Sequence, residues 1–370
     1  MRKAFKLIPI LCGISSAALA QDSTKTSPLT VSGSVDAYYR YNFNNTPDGG
    51  VYGFNSNTSF ANSQNSFQLG MASVKAEYTK GKVDAVIDLG YGTRAEEFSY
   101  ADGGTLFALK QAYISYNFTD KLKLTAGKWG THIGYEVLDP QANRNYSMSY
   151  MFSYGPFSHT GLKAEYAIDD KHSVMIGIAN PTDYTRPEWA STKNIIAQYS
   201  YTSDNFNLFA NYTSYFGAKG KEVTDGIPSS LNQFGITATA TVSDKFSIGY
   251  DGTVQSVTSN ISAKKESSSW WGSALYFNFD PKPNLGFTLR TEYFNDDKNL
   301  KAIGTEFTDG FTPIKNVFQT TLSANIRLSE NIVIIPELRY DKAGNAAFVK
   351  KDGSAVNNTT TALVAAVFSF

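Results

Sequence analysis

Beyond residue 20 the 370-residue chain has no cysteine, because its one cysteine is Cys12. Disulfides, thiol chemistry and cysteine metal centres are excluded from that part. Histidine is nearly as scarce, with His132, His159 and His172 the only imidazoles. His159 stands between Ser158 and Thr160, but neighbours along a strand face opposite ways, so the triplet assembles no Ser–His nucleophile. No enzyme is expected, and no cofactor or metal is implied. A charge excess is also missing, since 33 basic residues balance 33 acidic ones. Nucleic acid is therefore not an expected partner. After residue 20 no stretch approaches the roughly 18 apolar residues that mark a membrane-spanning helix.

The first twenty residues read as an address. Arg2, Lys3 and Lys6 form a positive start, Leu7–Leu19 an apolar run, and Ala18-Leu19-Ala20 a small-x-small cleavage site before Gln21. Cys12 is no lipid-anchor candidate, since the preceding Leu11 is not small and the site lies mid-run. Cleavage removes those three basic residues and leaves 30 basic against 33 acidic. Residues 21–28 are then a short N-terminal segment, and 29–370 the folded domain.

Seven short polar turns recur in that domain: 79–82, 119–121, 169–171, 203–205, 243–245, 280–284 and 329–331. Each sits between two runs that alternate apolar and polar residues. The longer segments between these hairpins are rich in Gly, Asn, Asp and Ser. Short turn, strand, long loop, strand is the rhythm of a transmembrane β-barrel with short periplasmic turns and long outer loops. In lipid only closure satisfies every backbone group of such a sheet. Aromatics for two interfacial girdles are abundant, with 23 Tyr and 25 Phe.

Reading alternation outward from each turn predicts about 16 antiparallel strands, at 29–43, 65–78, 83–92, 105–118, 122–130, 159–168, 172–180, 193–202, 206–216, 232–242, 246–256, 269–279, 285–295, 315–328, 332–341 and 359–370. In the second, Phe67, Leu69 and Met71 are out of phase with Ala72, Val74 and Ala76, which predicts a β-bulge near residue 72. A propeller would need four strands in each repeat where this chain supplies two. A soluble sandwich would leave unexplained the aromatics beside the short turns, such as Tyr116/Phe118 and Phe277/Phe279.

The inward face carries charges of both signs. Asp36, Arg40, Glu77, Lys163, Glu165, Arg290, Glu292, Arg327, Glu337 and Arg339 are the expected pore-lining residues. Near balance argues against a ring of one sign, and pairs such as Arg290/Glu292 and Glu337/Arg339 are expected to brace the wall. A sixteen-stranded barrel is wide enough for an aqueous channel. Loop 131–158 is the expected constriction: it is long, aromatic and too apolar for a solvent-borne loop, and it carries Glu136, Asp139 and Arg144. Loops 42–50 and 295–299 are rich in Asn and Asp but lack the spacing of a calcium loop.

Residues 126–166 carry a family likeness. Gly134, Tyr135, Glu136, Asn143, Tyr146, Ser147, Gly155, Pro156, His159, Thr160 and Gly161 make the stretch resemble the OmpL-like family of outer-membrane β-barrel porins. The resemblance implies a passive channel for small hydrophilic solutes and ions, in the outer membrane of a Gram-negative cell. It also implies that barrel-assembly machinery reads the terminal Phe370 as an assembly signal. Outer-membrane lipid is then a partner, and a homo-oligomer is compatible with this reading. The rival is a non-conducting barrel acting as an adhesin or structural protein through its surface loops.

Overall fold

The computed structural model describes residues 27–46, 55–187, 192–216, 228–261, 264–307 and 310–370. The expected leader, residues 1–20, lies outside them, as do residues 21–26 and 47–50. The first thirteen strands run in chain order: β1 (Leu29–Asn42), β2 (Ser66–Lys80), β3 (Val83–Tyr91), β4 (Leu109–Asn117), β5 (Leu122–Gly130), β6 (Ser158–Ala167), β7 (His172–Ala179), β8 (Asn194–Thr202), β9 (Phe206–Phe216), β10 (Pro228–Ser243), β11 (Phe246–Ile261), β12 (Lys264–Lys282) and β13 (Leu285–Asn295). A small hairpin follows, β14 (Gly304–Phe307) with β15 (Gly310–Pro313), and then β16 (Asn316–Arg327) and β17 (Ile332–Ala343). A second small hairpin, β18 (Phe348–Val349) with β19 (Ala355–Val356), precedes β20 (Asn358–Ser369). Leaving out the two small hairpins, sixteen strands close into one antiparallel barrel, each paired with its neighbour in sequence and β20 paired with β1.

The alternation builds this sheet with its apolar side outward. On β10, Phe234 and Ile236 are 58% and 49% exposed, whereas Gln233 and Thr237 are 1% and 2% exposed. A water-soluble sheet would have the reverse arrangement; this one is made for lipid. All seven short turns fall at one end, where Tyr116, Phe118 and Phe279 stand exposed. Strands β10, β11 and β12 are longer than expected, at 16, 16 and 19 residues. A tilted strand crosses the hydrocarbon in about 9–11 residues, so these three extend past it at the long-loop end.

Two details depart from the sequence reading. The bulge falls at Gly70, since Asp36 opposes Met71 while Ala37 opposes Leu69. Phe67 and Leu69 therefore face out, but Met71 turns inward and is fully buried. Packing sets the place: a Cβ on Gly70 would lie 1.9 Å from the Asp36 carboxylate and 2.5 Å from the Tyr146 hydroxyl. The fourth strand starts at Leu109 rather than 105, because residues 104–108 wind into a 3₁₀ turn.

Several long connections fold back into the barrel. The β3–β4 connection carries α1 (Thr93–Phe98), and the β5–β6 connection carries α2 (Tyr150–Tyr154). Phe60, Phe98, Met148, Phe152 and Phe157 form one apolar cluster between three connections. Tyr150, Met151, Trp270, Phe294, Ile303, Ile314 and Phe348 belong to another, which draws in both small hairpins. Among the described residues no helix is long and apolar enough to cross a membrane.

Candidate functional site

The site is the lumen, and residues 131–157 are its main occupant. They leave β5 and return at β6, yet touch walls all round the ring. Tyr135 stacks on Tyr276 of β12 with ring centroids 4.1 Å apart, and a Cβ on Gly249 of β11 would lie 2.5 Å from the Tyr135 ring. That close approach requires glycine. Glu136 pairs with Arg290 of β13 at 2.5 Å. Asn145 donates to Ser323 of β16, Tyr146 N–H to Glu337 of β17, and the Tyr146 hydroxyl to Asp36 of β1. On the far side Asp139 meets Lys110 of β4 at 2.5 Å.

Wall carboxylates cap the backbone of this segment. Glu337 accepts from the N–H groups of Tyr146 and Ser147, and Glu292 from those of Tyr150 and Met151. Arg290 and Arg339 donate to carbonyls, including that of Met148. A buried charge is tolerable when it is paired and fully hydrogen-bonded. Ser149 caps α2 by accepting from Phe152 N–H.

The expected bracing pairs are therefore regrouped. Arg290 and Glu292 each serve the crossing segment, and Glu337 accepts from it while Arg339 pairs with Asp341 at 2.7 Å. Lys163–Glu165 is paired along one strand at 3.3 Å, as is Lys75–Glu77 at 2.7 Å. Arg40 is buried and donates to the carbonyl of Ser63. Arg327 lies at the short-turn rim, donating to Pro283. Arg144 does not join Glu136 and Asp139; it reaches down to Asp280, at the β12–β13 turn, with bonds of 3.1 and 2.7 Å. Its long side chain finds an acceptor there, whereas Glu136 and Asp139 are already neutralised by opposite walls. In loop 295–299, Asp296 accepts from Leu300 and Lys301 N–H, the pattern of a turn rather than a cation cage.

Several functional groups escaped the sequence reading. Lys110 shares the even-numbered phase of the outward-facing Ile114 and Tyr116, but a bulge at Lys110, where Asp88 opposes Gln111 and Leu89 opposes Leu109, turns it inward, and alternation alone does not show that bulge. Arg94 on α1 donates to the carbonyls of Leu138 and Tyr146 and lies 4.6 Å from the Tyr146 ring centroid. Nothing local announced that a loop arginine would turn inward. Asp183, in the β7–β8 connection, accepts from Phe157 and Ser158 N–H and from the Tyr100 hydroxyl, which ties down the returning end of the segment. Burial pushes its carboxyl up to about 6, although the two backbone N–H bonds oppose the shift. Burial likewise pushes the His132 imidazole down to about 4, and its ring centroid lies 5.0 Å from that of His159.

A barrel of sixteen strands, bonded internally to the connection after its fifth, invites comparison with known families. The sequence profile described as "Putative beta-barrel porin-2, OmpL-like" matches residues 28–370. The chain belongs to that family. No curated protein sequence matches this OmpL-like chain. Among solved structures, Pseudomonas putida OprB at high pH is similar with a TM-score of 0.61 at 13% identity, over 92% of this chain and 94% of that one. The outer-membrane-expressed OmpT of Vibrio cholerae gives 0.54 at 13% identity, over 92% and 97%. An anion-selective porin from Comamonas acidovorans gives 0.54 at 11% identity, over 92% and 99%. At such identities the likeness establishes the fold. The OmpL-like chain is a porin-type outer-membrane barrel.

Proposed function

We propose that this barrel is a passive channel for small hydrophilic solutes and ions, narrowed by the segment 131–157. The supporting observation is that segment's course through the lumen, anchored to β13 by Glu136–Arg290 and to β4 by Asp139–Lys110. A body placed across a polar bore sets the diameter and the charge that a solute meets. Balanced ion pairs at both anchorages favour weak selectivity.

Conductance of the purified protein in a planar bilayer is the direct test. The intact chain should give discrete steps. Deleting residues 140–150 should raise the step size, since it removes the deepest part of the segment. Glu136→Gln with Asp139→Asn uncovers Arg290 and leaves Lys110 with only its Asp88 partner, 3.0 Å away, and should move the reversal potential toward anion preference. A folded, heat-modifiable barrel that passes no current would replace the channel with the surface-loop reading.

A further inference from the structure

The two sides of the lumen differ in how their polar groups are satisfied. From β12 through β20 to β4, the buried charges are engaged by inward connections: Arg290, Glu292, Glu337, Asp36 and Lys110 all bond to the segment 131–157. On β5–β11 the inward side chains are mostly neutral amides and hydroxyls. Of the buried strand side chains among the described residues that keep a polar atom with no hydrogen-bond partner in the protein, all but Asp88 and Tyr276 stand on β5–β11. Asp88 is nonetheless ion-paired, 3.0 Å from Lys110. The unpartnered atoms include Asn211 Nδ2, Thr213 Oγ1, Gln233 Nε2 and Thr237 Oγ1, on residues 1–3% exposed. A dry protein interior penalises every such atom, and a cluster of them on one wall calls for a ligand or for hydration.

The crossing segment holds this wall lightly. His132 takes a 3.2 Å bond from Gln198 to its carbonyl and makes a 3.4 Å contact from its ring to the Tyr212 carbonyl. Ile133 only rests against Gly235, where a Cβ would meet it at 3.3 Å. The opposite anchorages are ion pairs of 2.5 Å. If the segment yields anywhere, it yields at 131–134.

We propose that the permeation path runs between residues 131–134 and the β8–β10 wall, and that this wall favours uncharged polyhydroxylated solutes. The proposal rests on the channel reading. Amides and hydroxyls offer both donors and acceptors, as the hydroxyls of such a solute do. Trp129 and the partly buried Tyr113 on the adjoining wall supply rings for its C–H faces. The charges nearest this wall are few, with Lys163 paired to Glu165 and lying 5.3 Å from the Trp129 ring centroid, and Asp251 accepting from Tyr135 N–H through one carboxylate oxygen while the other has no partner in the protein. An ion gains little there from fixed charge, and a neutral polyol gains hydrogen bonds.

The absence of cysteine after Cys12 makes the test direct. Asn211→Cys and Thr237→Cys are placed singly in the full chain, with Ser323→Cys and Asn325→Cys on the covered wall as references. Folded protein in bilayers is exposed to a small hydrophilic methanethiosulfonate and read by mass and by conductance. Asn211→Cys and Thr237→Cys should gain the label and lose current, and the covered-wall sites should react more slowly. Faster reaction at Ser323→Cys or Asn325→Cys, or equal reaction at all four, overturns the path. Mass labelling needs no current: a barrel that labels at 211 and 237 without conducting keeps the hydrated wall and loses the channel, and one that does neither loses both. Liposome swelling tests the solute class, with a neutral hexose expected to enter several-fold faster than the corresponding hexuronate. Equal or reversed rates overturn that preference.

Discussion

Arg290 donates to Glu136 at 2.5 Å, joining residues 154 positions apart in sequence. β13 and β5, from whose end Glu136 departs, are eight places apart in a ring of sixteen. The pair therefore bridges opposite sides of the barrel, and both partners are buried.

Breaking this pair from one side should be costly. Arg290→Met leaves the Glu136 carboxylate buried without its cation and removes donors to the Ser147 and Met148 carbonyls. A loss of about 3–5 kcal/mol is expected for such an orphaned charge. Adding Glu136→Gln should recover part of it. Unfolding midpoints in detergent for the two single variants and the double variant measure the coupling.

Charge on the lipid face should block assembly. Leu322 is 51% exposed on the outer face. Leu322→Arg, or Ala238→Arg on β10, should destabilise the barrel by about 2–4 kcal/mol near midplane. Thr239→Arg, turned inward and half-buried, should be accepted far better. Thr321 is a poor inward control because it is fully buried and accepts from Arg290. Yield of heat-modifiable protein in the outer membrane separates these cases.

The C-terminal residue should matter through both its backbone and its ring. Phe370 exchanges two backbone hydrogen bonds with Gly33, of 3.1 and 3.0 Å, at the seam where β20 meets β1. Its deletion should lower the folded fraction. Phe370→Ala keeps both backbone bonds and so isolates the ring that assembly machinery is expected to read. Normal yield from Phe370→Ala with low yield from the deletion would assign the effect to the seam alone.

Acidification should tighten the returning end of the crossing segment. The Asp183 carboxyl titrates at about 6 in the fold against an ordinary 3.8, so the folded state binds the proton more strongly than the unfolded chain. Stability from this group therefore grows as pH falls through 6, is complete below 3.8, and is absent well above 6. Thermal midpoints at pH 7 and pH 5 should rise on acidification more in the natural protein than in Asp183→Asn. The same rise in both would remove Asp183 as the cause.

The strands were legible in the sequence because a barrel wall is a local pattern. Each strand needs only period-two alternation and a turn, and β13 was read to its observed bounds, 285–295. The inward charges were equally local, since face follows from phase: Arg290, Glu292, Glu337 and Arg339 could be read from alternation alone. Pairing could not. The i, i+2 partners proposed for these residues share a strand face, yet Arg290 found Glu136 and Glu337 found the backbone of Tyr146. Which charge meets which depends on where an irregular segment crosses a closed ring.

What the sequence determined by itself is the membrane-facing sheet: its strand number, its two faces and the end bearing the short turns. All follow from side chains alternating against backbone that must be hydrogen-bonded in lipid. Only the tertiary structure decided what fills the lumen. Arg94, Lys110 and Asp183 acquired their roles there, and Gly70 took the bulge because Tyr146 and Asp36 occupy the space its Cβ would need. Those relationships join residues remote in sequence through a loop with no period of its own, so no local pattern encodes them.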